Sequence, residues 1–419
     1  MRITSSTFVV ACALVMGSLQ VFADSRTASL LDSIEFGGHL EISAEHLRDL
    51  DLDSSQEDDL DLLPIELELE VLFEPSANFL AYVRSQLRRQ SVLRSNGDED
   101  ADSTEFLLNE AYVTVTHADT GLSLQLGRQL FEDERQWLYE AELDAIRGRY
   151  QSVGVVAEVS ASRQALLVDT DLLNDVDEDS AVNFIVHASH PLSTHALIGG
   201  YAIVRDDQDT DVRTVHLGLT SSGAPIDGLQ YWADAALLRG EEDGQSLRGY
   251  GIDLFGAYRF EAPLSPRILG GIAFASGRSD PEDVGDTGFR QTGLQDNEAE
   301  LGSLASFHYY GEAFDPELAN MAIYTAGFGI QPKANITIDL LYHHYRQDRA
   351  SETLRDSGLD AEPTGGSPAL GNELDLVVGY QATQDLLVSA FIGYFMPGPA
   401  FDSDANSALT ARIDLEFGF

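Results

Sequence analysis

Arginine side chains recur at alternate positions in two segments of this chain. Arg84 and Arg88 lie on either side of Gln86, and Arg147 and Arg149 flank a glycine. In an extended strand, residues two apart point to the same face, so each pair presents two guanidinium groups in one direction. Arginine is suited to bidentate contacts with carboxylates and phosphates. The spacing therefore indicates a row of cations that could bind an anionic ligand.

The overall charge makes these arginines unusual. The chain has 419 residues with 25 basic and 70 acidic side chains, a formal net charge of -45. Lys333 is the only lysine, so almost all positive charge is arginine. A nucleic-acid partner is not expected, because it would need a basic surface. A disulfide scaffold is also not expected, since Cys12 is the only cysteine.

Residues 1–23 have the features of a secretory signal peptide. Arg2 precedes an apolar run, and Val21-Phe22-Ala23 resembles a small-x-small cleavage site. A lipoprotein processing site at Cys12 and a retained anchor are the alternatives, but the apolar run is shorter than the ~18 residues of a spanning helix. We therefore expect an exported protein whose mature chain, residues 24–419, is one domain.

The mature chain repeats segments of roughly ten residues in which apolar and polar residues alternate, as in membrane-spanning barrel strands. The last segment shows it most clearly, with Ile413, Leu415, Phe417 and Phe419 on one face. A soluble sandwich also alternates, but it would not usually need so many strands of this length. Tyrosine and phenylalanine near strand ends are typical of interfacial girdles: Tyr82, Tyr112, Tyr258, Phe260, Tyr342, Tyr380, Phe417 and Phe419.

Long and short connections alternate along the chain. Short turns on one side and long loops on the other are typical of outer-membrane barrels. The order predicts an all-β fold, a transmembrane antiparallel barrel of 18 strands, with Ser303–Ala313 inside a long external connection, as a lid or a strand extension above the membrane. The long connections are placed at 45–61, 91–104, 131–141, 169–181, 205–212, 240–247, 278–319, 348–372 and 396–408.

Strand parity predicts which arginines face the lumen of such a barrel. A charge facing lipid at mid-membrane would cost ~2–4 kcal/mol, so lumenal placement is favoured. Lumenal arginines either pair with lumenal carboxylates or line a constriction that selects anions, and both interpretations stay open. Arg128 and Arg346 lie on the opposite register near strand ends, so their direction also stays open. The residues predicted to face the lumen are Arg84, Arg88, Arg147, Arg149, Arg259 and Arg412.

Acidic runs dominate the predicted external loops. They are compatible with solvated loops or with weak Ca²⁺ binding, although none has the complete twelve-residue calcium loop. No other cofactor is expected. The runs are Asp49–Asp53, Glu57–Asp61, Asp98–Asp102, Asp175–Asp179, Asp206–Asp211 and Asp280–Asp286.

Catalytic motifs are sparse in this sequence. The ten histidines are scattered, and His343-His344 beside Tyr342 is the densest group. No nucleophile elbow or metal-binding helix motif is present. We therefore do not expect an enzyme, with a surface-active barrel enzyme as the remaining alternative from that class.

Several motifs resemble those of the alginate-export porins, outer-membrane barrels of 18 strands that release the anionic polysaccharide alginate. The most specific is the block from Asp283 to Asn297, which contains Phe289-Arg290-Gln291-Thr292-Gly293. The shorter matches are Leu126–Gln129, Asp133–Arg135, Trp137–Tyr139, Leu143–Arg147, Tyr310–Glu312, Pro316–Asn320 and Leu341–His343.

The resemblance implies an electropositive constriction that draws a polyuronate through the barrel. By motif position it assigns Arg128, Arg147 and Arg290 to this constriction, with Asp144 orienting an arginine. The expected function is passive export of an anionic exopolysaccharide across the outer membrane of a Gram-negative bacterium, with a general or oligosaccharide-selective porin as the alternative. Expected partners are the polysaccharide, outer-membrane lipid and a periplasmic export complex. Two features depart from the family pattern: no long periplasmic loop is visible, and the chain is very acidic.

Overall fold

The computed structural model describes residues 33–53, 55, 59–96, 102–164, 166, 170–174, 180–242, 244–278 and 285–419. The predicted signal peptide and the acidic run Asp175–Asp179 lie outside these residues, as do 98–101, 57–58 and 280–284 of the other acidic runs. Within the described ranges, no helix is long and apolar enough to cross a bilayer.

Strands form wherever apolar and polar residues alternate, because such a segment can present one face to lipid and the other to water. The strands are β1 (Ile34–Arg48), β2 (Leu60–Ser76), β3 (Phe79–Ser95), β4 (Ser103–His117), β5 (Leu122–Glu132), β6 (Glu140–Gln151), β7 (Val156–Arg163), β8 (Val182–Ser193), β9 (Ala196–Asp207), β10 (Val212–Gly223), β11 (Leu229–Glu242), β12 (Gln245–Arg259), β13 (Arg267–Ala275), β14 (Glu298–Ala299), β15 (Phe307–His308), β16 (Met321–Lys333), β17 (Ile336–Gln347), β18 (Ala369–Gln381), β19 (Leu386–Pro397) and β20 (Ala408–Gly418).

Eighteen of these strands close into one antiparallel barrel, which confirms the predicted fold. Each barrel strand pairs with the next along the chain, and β1 pairs with β20 from His39↔Gly418 to Arg48↔Leu409. Closure leaves no free sheet edge, as a bilayer requires. The short strands β14 and β15 pair only with each other.

The alternation of long and short connections is confirmed, with two corrections. The connections predicted at 205–212 and 240–247 are much shorter, because β9 continues to Asp207 and β10 begins at Val212, while β11 continues to Glu242 and β12 begins at Gln245. The strands beside them continue past the ~9–11 residues needed to cross a bilayer, because hydrogen bonding between neighbours extends beyond the membrane. The order of strands is unaffected.

The outer surface is apolar and exposed in the middle of the strands. Leu219, Ile272 and Leu340 are all more than half exposed, as lipid-facing side chains are. Two aromatic residues predicted in the interfacial girdle are wrongly placed. Tyr82 and Tyr112 share the inner face with Arg84, and their rings contact each other at a tilt of 41° with 5.4 Å between centroids.

Ser303–Ala313 is correctly predicted inside the long connection between β13 and β16, but its predicted place above the membrane is wrong. Ser303 Oγ lies 3.0 Å from Thr337 Oγ1, and the Ala313 N–H donates to Glu373 at 2.6 Å. Both partners belong to the inner face of the wall. The segment therefore folds into the lumen, where its aromatic side chains are buried.

The outer face provides a test of membrane placement. Ile272 and Ile268 both point outward from β13 and are 51% and 49% exposed, but Ile268 lies next to the short turn. Ile272→Arg should lower the free energy of unfolding by ~2–4 kcal/mol and Ile268→Arg by only about 0–1, because the cost depends on depth. Urea unfolding in lipid vesicles measures both. Equal losses would contradict this placement of β13 in the bilayer.

Candidate transport path

The hairpin formed by β5 and β6 bends into the barrel at its long-loop end. Arg135, near its tip, reaches Asp234 on β11 and Asp253 on β12, strands that are not neighbours of β5 or β6. Contact with both requires the tip to cross the lumen. Residues 129–143 are called the inward hairpin below.

Gly127 permits this bend. Its φ is +123°, and a Cβ there would lie 2.2 Å from the Ala111 carbonyl oxygen. β4 stays paired with β5 only as far as Ala111↔Arg128. Beyond that point, residues 170–172 pair with β4 instead, through the bridge Leu107↔Asp171. A loop therefore fills the gap that the bend opens in the wall.

Arg128 and Asp144 form a buried ion pair at the bend. Arg128 Nε lies 3.1 Å from Asp144 Oδ1, and the arginine is 3% exposed. Arg128 Nη1 also donates to the Leu108 carbonyl, while Asp144 Oδ2 accepts from the Leu166 N–H at 2.7 Å. The pair therefore connects the bent hairpin to β4 and to the β7–β8 loop that fills the gap in the wall.

The connection between β13 and β16 supplies a second internal body. Its residues 285–320, called the plug segment, cover the inner faces of β16 to β19. Wall residues such as His343, Glu373 and Phe395 are completely buried beneath it. Glu373 anchors the segment by accepting the N–H groups of Ala313 and Phe314 at 2.6 and 3.1 Å.

The inward hairpin and the plug segment hold each other. Trp137 stacks on Phe289, and its Nε1 donates to Tyr310 Oη at 3.0 Å. Gln291 Nε2 donates to the Trp137 carbonyl at 2.8 Å. The inward hairpin and the plug segment therefore form one body inside the lumen, called the internal barrier below. Most motifs that carried the family resemblance lie in it, namely Asp133–Arg135, Trp137–Tyr139, Arg290–Asn297, Tyr310–Glu312 and Pro316–Asn320.

Arg135 connects this barrier to β11 and β12 on the opposite side of the wall through two ion pairs. Its Nη1 lies 2.6 Å from Asp253 Oδ2 and its Nη2 2.5 Å from Asp234 Oδ2, with the Tyr309 ring 5.2 Å away. Burial would lower the pKa of the Arg135 guanidinium, but Asp253 and Asp234 hold it well above its ordinary value. Strand parity could not identify Arg135, because it lies between strands. The Asp133–Arg135 motif was the available signal.

Many side chains on the inner faces of β1 to β6 and β20 are part-exposed, whereas those of β16 to β19 are covered by the plug segment. The lumen along these less covered faces is called the passage below. Arg84, on β3, lies 3.1 Å from Glu142 and 3.5 Å from Glu110. Arg88 lies 2.5 Å from Glu66, and its side chain is 48% exposed. Glu110 is buried, but Arg84, Arg88, Glu66 and Glu142 are part-exposed, unlike the wall residues beneath the plug segment.

Three further arginines lie on the inner faces of β6 and β20. Arg147 lies 3.3 Å from Glu158 and sits over the Phe131 ring at 3.7 Å. Arg412, on β20, lies 3.0 Å from Asp414. Arg149 is exposed on the inner face of β6 and makes no ion pair with any residue in the described ranges.

The passage is also strongly acidic. Glu41 is the direct cross-strand partner of both Glu66 and Glu416, so three carboxylates span β2, β1 and β20 side by side. Glu68 and Asp414 extend this acidic wall on the same inner faces. The arginines are therefore set among a larger number of carboxylates.

The remaining predicted site residues lie away from this passage. Arg290 is 7% exposed in the plug segment and lies 2.8 Å from Glu242, beside an outer cavity of about 510 Å³. Arg259 lines a small cavity near the short turns with Arg267. Arg346 is exposed at the outer rim.

His343 and His344 do not form a joint site. His343 Nε2 lies 3.0 Å from Asp375 in the buried interior, whereas His344 Nδ1 lies 2.9 Å from Asn372 on the other face of β17. Neighbouring residues on a strand point in opposite directions, which separates the two imidazoles.

Comparison with known proteins agrees with this architecture. A family model described as alginate export matches residues 32–413. The chain belongs to the alginate-export family. Its similarity to the alginate production protein AlgE of Pseudomonas aeruginosa PAO1 is 26% identity over 372 residues, covering 75% of this chain and 74% of that one. AlgE of Pseudomonas syringae pv. tomato DC3000 is 23% identical, covering 98% and 99%.

Solved structures with the same fold are outer-membrane porins. Pseudomonas aeruginosa OpdK, crystallised with vanillate, superposes with a TM-score of 0.61 at 11% identity, over 92% of this chain and 98% of that one. Acinetobacter baumannii OccAB3 also has a TM-score of 0.61 at 11% identity, over 93% and 99%. Like these porins, this member of the alginate-export family is an outer-membrane barrel.

Arg135 offers a direct test of the internal barrier. Arg135→Met leaves Asp234 and Asp253 buried without their cation, which should lower the free energy of unfolding by ~3–5 kcal/mol. It should also raise single-channel conductance, because the hairpin tip loses its tie to β11 and β12. Arg213→Met removes an exposed arginine 3.9 Å from Asp206 and should change neither. An Arg135 variant with wild-type stability and conductance would contradict the role given to this ion pair.

Proposed function

We propose that alginate or a related polyuronate leaves the cell through the passage, in contact with Arg84, Arg88, Arg147, Arg149 and Arg412. Family membership supports the polymer. The single observation that supports the route is that these arginines lie on the inner faces left uncovered by the internal barrier, with side chains that stay part-exposed.

The carboxylate partners suit these arginines to sliding contacts. A guanidinium has five N–H donors, and a carboxylate partner occupies only some of them. The remaining donors are free to bind a uronate carboxylate, while the partner fixes the direction of the side chain. Competition from the partner also keeps each polymer contact weak, as conduction requires.

Arg128, Asp144 and Arg290 have a different role in this proposal. Arg128 and Arg290 are 3% and 7% exposed and already hold carboxylates, so little of either guanidinium is open to a polymer. They position the inward hairpin and the plug segment, which set the width of the passage. Arg259 faces a cavity near the short turns rather than the passage.

The surroundings of the barrel follow from its two surfaces. The apolar outer face is in contact with outer-membrane lipid. A periplasmic export complex would meet the short-turn end, where the passage takes up the polymer.

Polymer block tests the route. Adding polymannuronate to the short-turn side should interrupt single-channel current, because the chain occupies the passage. Arg149→Gln or Arg88→Gln should raise the blocking concentration by roughly two- to fivefold, as expected for part-exposed charge pairs. Arg213→Gln, outside the lumen, serves as the matched control.

The same recording separates the alternative transport function. Block by neutral oligosaccharides, with no response to polymannuronate, would favour an oligosaccharide-selective porin. Block by polymannuronate that is unchanged in every arginine variant would contradict the proposed residues while leaving the exported polymer in place.

We also propose that transport involves no catalysis. Purified barrel incubated with polymannuronate or with phospholipid should leave polymer length and acyl chains unchanged. Size-exclusion chromatography and mass spectrometry measure both, with heat-unfolded protein as the control. Shortened polymer or released fatty acid would favour a surface-active enzyme.

A further inference from the structure

The short strands of the plug segment bring three metal-ligating side chains together. Glu298 on β14 is the direct cross-strand partner of His308 on β15. Asp296 precedes this pair, and one ligand atom from each of Asp296, Glu298 and His308 lies within 4.8 Å of the others. No other group of this kind occurs in the part of the chain that the structure describes.

More negative charge surrounds this group than the described positive charges offset. The Glu312 carboxylate accepts the His308 backbone N–H, and Asp315 Oδ2 lies 3.7 Å from His308 Nδ1. The charge of Arg412 acts on Glu298, but Asp414 already pairs with this arginine at 3.0 Å. A divalent cation would offset this surplus.

We propose that Asp296, Glu298 and His308 bind a divalent transition-metal ion at the edge of the plug segment. The hairpin β14–β15 presets the ligands, because its cross-strand pairing fixes Glu298 and His308 opposite each other. The site is independent of the polymer that the passage carries.

The donor set selects the metal class. One imidazole nitrogen with two carboxylates suits Mn²⁺, Zn²⁺ or Co²⁺, whereas Ca²⁺ and Mg²⁺ prefer oxygen ligands alone. Three protein ligands leave coordination positions unfilled. Asp296 is exposed, so these positions are reachable from the water of the lumen.

A protonated His308 is the competing arrangement. Burial alone would lower the pKa of this imidazole, but Asp315, Glu312, Glu298 and Asp296 raise it to about 9. An imidazolium would then balance the carboxylates without a metal. Metal binding must displace this proton, so the affinity for metal should fall as the pH is lowered.

Binding of Mn²⁺ to the purified full barrel distinguishes the two arrangements. Electron paramagnetic resonance should show one bound Mn²⁺ per chain, and Co²⁺ should produce visible d–d absorption. His308→Gln or Glu298→Gln should weaken binding by about tenfold or more, the usual scale for a lost contact around a metal. Calorimetry in two buffers near pH 7 should show proton release on binding.

His46→Gln is the matched control. His46 Nδ1 lies 2.7 Å from Asp61 near the rim, and among the described residues this histidine–carboxylate pair belongs to no group of three metal-ligating side chains. The loss of His46 should therefore not alter Mn²⁺ binding. Absence of saturable Mn²⁺ binding would overturn the proposal. So would equal binding of Mn²⁺ and Mg²⁺ that His308→Gln leaves unchanged, which indicates diffuse attraction to acidic side chains. If His308→Gln or Glu298→Gln fails to fold, Asp296→Asn tests the same site, because Asp296 is exposed and its replacement should leave the fold intact.

Discussion

An 18-stranded barrel encloses more space than the side chains of its own wall can fill, and the internal architecture of this protein follows from that constraint. The space is narrowed by chain rather than by larger side chains. Chain inside a barrel carries backbone N–H and C=O groups that need partners. The wall supplies them: Glu373 accepts from Ala313 and Phe314, and Thr337 Oγ1 accepts from the Leu304 N–H at 3.0 Å. Polar residues on the inner faces of β17 and β18 are therefore there to receive the plug segment.

The Arg135 cluster fixes the geometry of the barrier more than its stability. Burying a guanidinium with two carboxylates costs desolvation that their attraction only partly offsets, and apolar replacements of buried ion pairs are often as stable. Apolar contacts would let the hairpin tip slide, however, whereas Arg135 can satisfy Asp234 and Asp253 together in one position only. The width of the passage depends on that position. This explains why a charged group is used where packing alone would fill the space.

The barrel was predictable because lipid and water impose a period of two on every wall strand. The inner direction of Arg84, Arg88 and Arg147 follows from the same rule. The rule fails where the backbone leaves the wall. Leu126 and Arg128 are two residues apart, so strand alternation predicts the same face for both. The positive φ of Gly127 between them turns the hairpin inward, and the pattern of apolar and polar residues does not show this turn. The lumenal course of Ser303–Ala313 was hidden for the same reason, since its partners are distant in sequence. Tyr82 could have been placed correctly, because it shares a strand face with Arg84.

The acidic lining is compatible with carrying a polyanion because the carboxylates lie beside the arginines. Arg88 pairs with Glu66 of the acidic wall, and Arg412 lies on β20 next to Asp414. A polyuronate is therefore attracted by each guanidinium and repelled by the carboxylate next to it. An export channel needs release as much as capture, because a polymer bound tightly by every arginine would stop moving. Carboxylates beside and opposite the arginines weaken each contact. In this arrangement, the high acidity of the chain favours movement of the polymer rather than opposing its passage.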